Sequence, residues 1–288
     1  MATSSSVPSF LGRRGPSGPS GSADEIDFKI YGQEMQFVEI ELDPGESAIA
    51  EAGAMMFKDA PVHMDTIFGD GSKPDTGFFG KIAAAGRRIL TGESLFMTQF
   101  THTGQGKAHV SFAAPYPGSI IPFKLTELGG TLIAQKDAFL CAAKGVSIGI
   151  HFQRKIMTGL FGGEGFIMQK LEGDGYAFVH VGGCVVQRDL APGEILHVDT
   201  GCVAAMTSSI EFDIVRAGSV KSMIFGGEGV FFATLQGPGT VWIQSLPFSR
   251  LAGRILANVG TGKEGGSLLG SLTGGGSIIG DISSGDGD

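Results

Sequence analysis

From about residue 27 to residue 247, apolar residues recur at every second position over short spans, and glycine, proline and aspartate interrupt those spans. A period of two sends alternate side chains to opposite faces, so the pattern predicts β-strands with one buried face. Val38, Ile40 and Leu42 form one such set ahead of the turn Asp43-Pro44-Gly45-Glu46, and Met35 and Phe37 precede them in the other phase. The change of phase predicts a switch of face between Phe37 and Val38. Thr103-Gly104-Gln105-Gly106, Glu172-Gly173-Asp174-Gly175 and Gln236-Gly237-Pro238-Gly239 each separate two apolar runs. Paired glycines supply the positive φ that tight hairpins need, so these are predicted hairpin turns. A helical period is confined to residues 81–90, which are Ala-rich, and residues 249–258, where Ser249 is the expected N-cap.

The pattern also repeats. Phe-Gly-Gly-Glu-Gly begins at Phe161 and again at Phe225, each time opening a strand, a turn and a second strand. A companion element precedes each copy: Pro192-Gly193-Glu194 runs on to Gly201, and a degenerate form around Gly130 runs on to Asp137. The same two signatures occur earlier, around Glu46 with Gly53 and around Glu93. Three related units follow, at about 27–115, 116–182 and 183–247. Glu46 and Glu93 are further apart than Glu194 and Glu228, so the first unit carries an insertion, placed within residues 63–82.

Composition narrows the class. Glycine supplies 48 of 288 residues, more than twice the usual roughly 7%, while charged residues at 17% fall below the usual roughly 25%. Without a Gly-X-Y period, that means many tight turns between short strands. A net charge of -8 disfavours nucleic acid as a partner, since phosphate recognition calls for surplus Lys and Arg. Cys141, Cys184 and Cys202 are odd in number and far apart, which offers neither a disulfide framework nor a CxxC pair and suits a cytoplasmic setting. Residues 1–25 are rich in Ser, Pro and Gly, and residues 258–288 in Gly and Ser, so both read as disordered tails around one all-β domain at 26–257. Leu268-Leu269 and Ile278-Ile279 are the only apolar clusters of the second tail.

Several residue groups invite a chemical reading. His63, His102, His109, His151, His180 and His197 include no His-x-His pair, although His102, His109 and His197 with Glu194 are the nearest approach to a cupin-like metal set. Glu93, Glu164 and Glu228 recur once per unit and would meet near an axis if the units were arranged threefold. The competing reading, also given to Glu46 and Glu194, is a carboxylate that closes a Gly-rich turn by accepting backbone N–H groups. Cys184 and Cys202 read as buried structural thiols. No Gly-x-Ser-x-Gly elbow is present, and the one Gly-x-Gly-x-x-Gly match, from Gly260 to Gly265, has no βαβ context. Phe78, Phe79 and Arg87-Arg88 could meet a lipid surface, with residues 62–80 as the contact segment.

Taken in order, QFVEIELDPGESAIAEAGAM (36–55), GESLF (92–96), DAFL (137–140), the two GGEG turns and GPGTVWIQSLP (237–247) resemble the altered inheritance of mitochondria family. The resemblance covers about residues 28–256. It implies an all-β fold similar to the tryptophan RNA-binding attenuator: three related β-sandwich or β-prism units in a pseudo-threefold arrangement, with few short helices. It also implies a link to inner-membrane organisation for mitochondrial members. It supplies no catalytic residue, no cofactor and no metal ligand, so none is assigned. The expectation is a non-enzymatic scaffold or protein-interaction module with an unidentified protein partner, open to homo-oligomerisation through its edge strands. Two alternatives stand beside it: a small-ligand or metal-binding β-sandwich, and a peripheral membrane protein.

Overall fold

A computed structural model describes residues 23–68, 96–154, 165–216 and 231–259. The predicted helix at 81–90, the repeated Glu93, Glu164 and Glu228, residues 69–80 of the insertion, Arg87-Arg88 and the glycine match at 260–265 lie outside the described residues.

The fold is all-β. In the first stretch β1 (Asp27–Tyr31) precedes β2 (Phe37–Leu42), β3 (Ser47–Glu51), β4 (Met55–Lys58), β5 (Val62–Phe68), β6 (Phe96–His102) and β7 (Ala108–Ala113). The second holds β8 (Gly118–Lys124), β9 (Thr131–Gln135), β10 (Phe139–Ala143), β11 (Ser147–Arg154), β12 (Phe166–Glu172) and β13 (Tyr176–Gly182). The third holds β14 (Val185–Leu190), β15 (Ile195–Asp199), β16 (Val203–Thr207), β17 (Glu211–Arg216), β18 (Phe231–Gln236) and β19 (Gly239–Gln244).

Leaving β1 aside, pairing within the stretches matches strand for strand. The last strand pairs with the first and third, as in β7 with β2 and β4, and the fifth pairs with the second and fourth, as in β6 with β3 and β5. β13, β12, β19 and β18 repeat the scheme. The register carries over as well. Glu51, Gln135 and Asp199 stand opposite Met97, Met168 and Phe232. A bulge falls at one place in all three third strands, between Met55 and Phe57, Phe139 and Cys141, and Val203 and Ala205.

Stretches join by backbone. β3 pairs with β10 at a first junction and β9 with β16 at a second, giving sheets ordered β5-β6-β3-β10-β13-β8 and β11-β12-β9-β16-β19-β14. Each six-stranded sheet is therefore half one stretch and half the next. β9 shows the outcome for packing: Leu132 and Ala134 enter a core built mainly from the first two stretches, and Ile133 enters a core shared with the third. Alternation along one strand feeds both cores.

Local expectations can be checked directly. In β2, Val38, Ile40 and Leu42 are buried, while Phe37 turns to the other face and stacks on Tyr31 at 4.9 Å. The C-terminal helix, α1, is Phe248–Val259, so it starts one residue earlier than predicted and Ser249 is its second residue rather than its N-cap. The first turn closes through backbone instead: the Arg250 N–H donates to the Pro247 carbonyl at 3.0 Å, and Ser249 Oγ lies over Gly201. By compactness the chain divides after Arg250, so the rest of α1 belongs to a second unit that begins at Leu251.

The predicted N-terminal tail is too long by its last residues. Ala23 is buried, its N–H donates to Asp174 Oδ1 at 2.7 Å, and the Asp24 carboxylate accepts the Ser47 N–H at 2.8 Å. Gly145 and Gly175, which lack a Cβ, leave the room that Ala23 occupies.

Candidate functional site

The candidate histidines do not converge. His102 is buried at the end of β6, where Nε2 lies 2.9 Å from the Gly106 carbonyl and Nδ1 accepts the Gly104 N–H at 3.3 Å. It braces its own hairpin. His109 lies at the surface with Nδ1 3.1 Å from Asp59 and Nε2 3.4 Å from Glu41. His197 Nδ1 lies 3.3 Å from Thr234 Oγ1, and His63 and His151 are exposed. Among the described residues no group of three or more His, Cys, Asp or Glu is placed to hold a metal ion.

Glu46 and Glu194 do what the turn reading predicts. Glu46 Oε2 accepts the Asp43 N–H at 2.8 Å, and Glu194 Oε2 accepts the Ala191 N–H at 2.9 Å. Gly45 and Gly193 hold φ of 93° and 77° in the same two turns, a left-handed conformation that suits glycine. The cysteines need one correction. Cys141 and Cys202 are buried, but Cys184 is exposed, because it follows the left-handed Gly183 in the link to β14 rather than standing in a strand. Burial pushes the Cys141 thiol well up, which makes it unreactive.

The first junction contains a cavity that no motif indicated. It measures about 320 Å³ and is lined by the end of β3 and the turn into β4, the segment after β7, the segment leading into β10, and His180 of β13. Glu51, Asp137 and His180 supply its polar wall, with Met55, Met56, Phe139 and Leu140 among the apolar residues. Burial pushes the Glu51 carboxyl up to about 7; the nearby Asp137 charge adds to the rise and Lys136 opposes it. Burial brings His180 down to about 4, with the Tyr116 backbone offsetting part of the fall. His180 is only 1% exposed, and neither ring nitrogen has a hydrogen-bond partner of acceptable geometry. Its ring meets Tyr116 edge-on at 4.4 Å, and burial, then the Asp137 charge, raises that phenol to about 12. At neutral pH the wall thus holds a neutral imidazole and a carboxyl near its midpoint, and the Tyr116 phenol packed on that imidazole keeps its proton.

The matching positions at the second junction are Gln135, Gly201 and Gln244, fixed by register: His180 stands opposite Ile120 in the last-to-first strand pair, and Gln244 opposite Val185. There the polar groups meet each other. Gln244 Nε2 donates to Gln135 Oε1 at 3.1 Å and to the Gly201 carbonyl at 2.9 Å, and its Oε1 accepts the Gly182 N–H at 3.0 Å.

The sequence profile of the mitochondrial biogenesis AIM24 family matches residues 28–246. An uncharacterised protein of Streptococcus pyogenes serotype M6 is 32% identical over 226 residues, covering 77% of this chain and 86% of that protein. A crystal structure of a Streptococcus pyogenes protein superposes with a TM-score of 0.65 at 25% identity, covering 81% of this chain and all of that one. Among the described residues no helix is long and apolar enough to cross a membrane.

Proposed function

Given that the chain belongs to the mitochondrial biogenesis AIM24 family, we propose that it acts as a non-enzymatic interaction module, a rigid scaffold that presents edges and faces to a protein partner. One observation carries the reading. Two sheets, each half one stretch and half the next, weld three stretches into a frame, yet Met56, Phe57, Ile195 and Phe232 stay exposed on it. Large apolar side chains at exposed strand positions mark surfaces suited to association. A three-part arrangement similar to the tryptophan RNA-binding attenuator belongs to the same proposal, and the recurring pairing scheme supports it. All three cysteines are free thiols, which suits a reducing compartment such as the cytoplasm. Contact with a membrane surface through residues 62–80 is its weaker extension, tested by liposome flotation of the full chain against a chain lacking that segment. Native mass spectrometry of protein purified from its own cells tests the module reading: bound protein or self-assembly supports it, and a lone chain carrying a stoichiometric small molecule sinks it.

A second reading, small-ligand binding, is favoured by the cavity at the first junction. Two carboxyl groups, Glu51 and Asp137, on a wall completed by the His180 ring and apolar side chains suit a small neutral or cationic molecule with hydrogen-bond donors. A ligand of that class would raise the melting temperature of the wild type and not of His180→Leu. Equal shifts in both would remove the cavity from consideration.

A further inference from the structure

The two junctions share one frame, and the first leaves room where the second is filled. At the second, Gln135 and Gln244 are 4% and 3% exposed and bond to each other, and Gly201 takes the place of Asp137. A Cβ on Gly201 would lie 3.1 Å from Ser249 Oγ and 3.3 Å from Pro247 Cβ, so those two residues cover that end. The first junction has its cavity of about 320 Å³ at the matching positions, so the space is not a by-product of the shared frame.

The cavity wall is graded. Its floor is apolar and buried, with Phe139 and Leu140 each 3% exposed, while Met56 and Asp137 stand at the exposed rim. Glu51 is half-buried at the end of β3, where the Ala54 N–H donates to the Glu51 carbonyl at 3.2 Å and Gly53 is left-handed at φ 88°. Two carboxyl groups share the wall, and among the described residues neither Lys nor Arg lines it. That charge calls for a cation, and the apolar floor selects the kind. A metal ion needs converging His and Cys ligands or a shell of six or more oxygens, and among the described residues no group of three such side chains is placed to supply it. An ammonium group has three hydrogen-bond donors to satisfy, and a hydrocarbon body attached to it matches the apolar floor.

We propose that the cavity binds a small organic cation in exchange for the proton of Glu51, with the ammonium group on Glu51 and Asp137 and the apolar body on Phe139, Leu140 and Met56. This deepens the small-ligand reading and rests on it. The displaced proton passes to solvent, because a neighbouring positive charge favours the carboxylate over the acid. Burial, and then the Asp137 charge, hold the Glu51 carboxyl up at about 7, with Lys136 opposing them. His180, brought down to about 4, stays neutral between pH 6 and pH 8, and Tyr116, raised to about 12, keeps its proton. Glu51 is therefore the group whose charge grows over that range.

The test uses the full chain and two probes of one shape: n-butylamine, an ammonium ion from pH 6 to pH 8, and n-butanol, which is neutral. Binding is read from the rise in melting temperature with probe concentration at constant ionic strength. Butylammonium is expected to bind about tenfold more tightly at pH 8 than at pH 6, as the ionised fraction of Glu51 grows, and butanol to show no such dependence. Glu51→Gln keeps the shape of the side chain and should both weaken butylammonium binding and flatten its pH dependence. Asp137→Asn, at the exposed rim, should move the pH of half-maximal affinity downwards, because it removes a charge that raises Glu51. Butanol binding as tightly as butylammonium at pH 8 would overturn the exchange and leave the cavity a small-ligand site. A tenfold dependence that survives in Glu51→Gln would overturn it as well. If neither probe shifts the melting temperature, the exchange and the small-ligand reading fall together.

Discussion

The first and second junctions use the same strands, register and bulge but solve one problem differently. Where a strand end of one stretch meets a turn and the last strand of the next, the second junction places Gln135 and Gln244, whose amides bond to each other and to backbone. The first places Glu51, Asp137 and His180 around a cavity. An amide both donates and accepts without charge, so it can close a buried network. A carboxyl and an imidazole in the same frame bring the ability to change protonation. One junction is built to hold, and the other can respond to its surroundings.

The largest effect is expected where the network is complete. Gln244→Ala leaves Gln135, the Gly201 carbonyl and the Gly182 N–H without their partner, and urea denaturation should show a loss of about 4 kcal/mol. The matching His180→Ala, which removes no hydrogen bond of acceptable geometry, should cost less than half as much. Equal losses would erase the contrast between the junctions.

Acid should act on the first junction alone. His180 releases its proton more easily in the folded chain than its ordinary value of 6.5 would give, so folding favours the neutral ring. Its contribution is complete above pH 6.5 and is lost as the pH falls towards 4, a change of about 3 kcal/mol. His180→Gln, which installs the second junction's residue, should flatten that part of the stability profile. A profile as steep as that of the wild type would assign acid sensitivity to other groups.

Glu51 works in the opposite direction. Its folded value is raised from 4.5 to about 7, so its contribution is complete below pH 4.5 and is lost as the pH rises through 7. Glu51→Gln should therefore stabilise the protein at pH 8 by about 2 kcal/mol, after allowance for solvent screening, and leave it unchanged at pH 4. Thermal melts at the two pH values decide the matter, and a gain at pH 4 would contradict the assignment. The smallest effect belongs to the repeated turns. Glu46→Ala and Glu194→Ala each remove one carboxylate acceptor from a backbone N–H, and each should cost about 1 kcal/mol by urea denaturation.

Strands, hairpin turns and the role of Glu46 and Glu194 were legible in the sequence because period-two alternation and turn chemistry are local. The pairing of β3 with β10 was not, since nothing near Ala48 or Ala142 specifies a partner so distant in the chain. The cavity escaped for the same reason: Glu51, Asp137 and His180 belong to three separated segments, and none forms a motif. A signal was nevertheless present. His180 is a polar residue in the apolar run Tyr176–Gly182, at the place where the third stretch has Gln244. Cys184 was misjudged because its apolar neighbours suggested a strand interior, whereas a left-handed glycine beside it turns the chain outward.

Sharing sheets between successive stretches also governs how the chain finds its fold. Gln135 and Gln244, which must meet, are 109 residues apart in sequence. Contacts of that range close late and slowly, because the loop entropy is lost before the contact forms. Similar strands recur in every stretch, so a half-formed sheet can recruit the corresponding strand from the wrong stretch or from a neighbouring chain. Refolding from denaturant should then be slow, with a yield that falls as protein concentration rises.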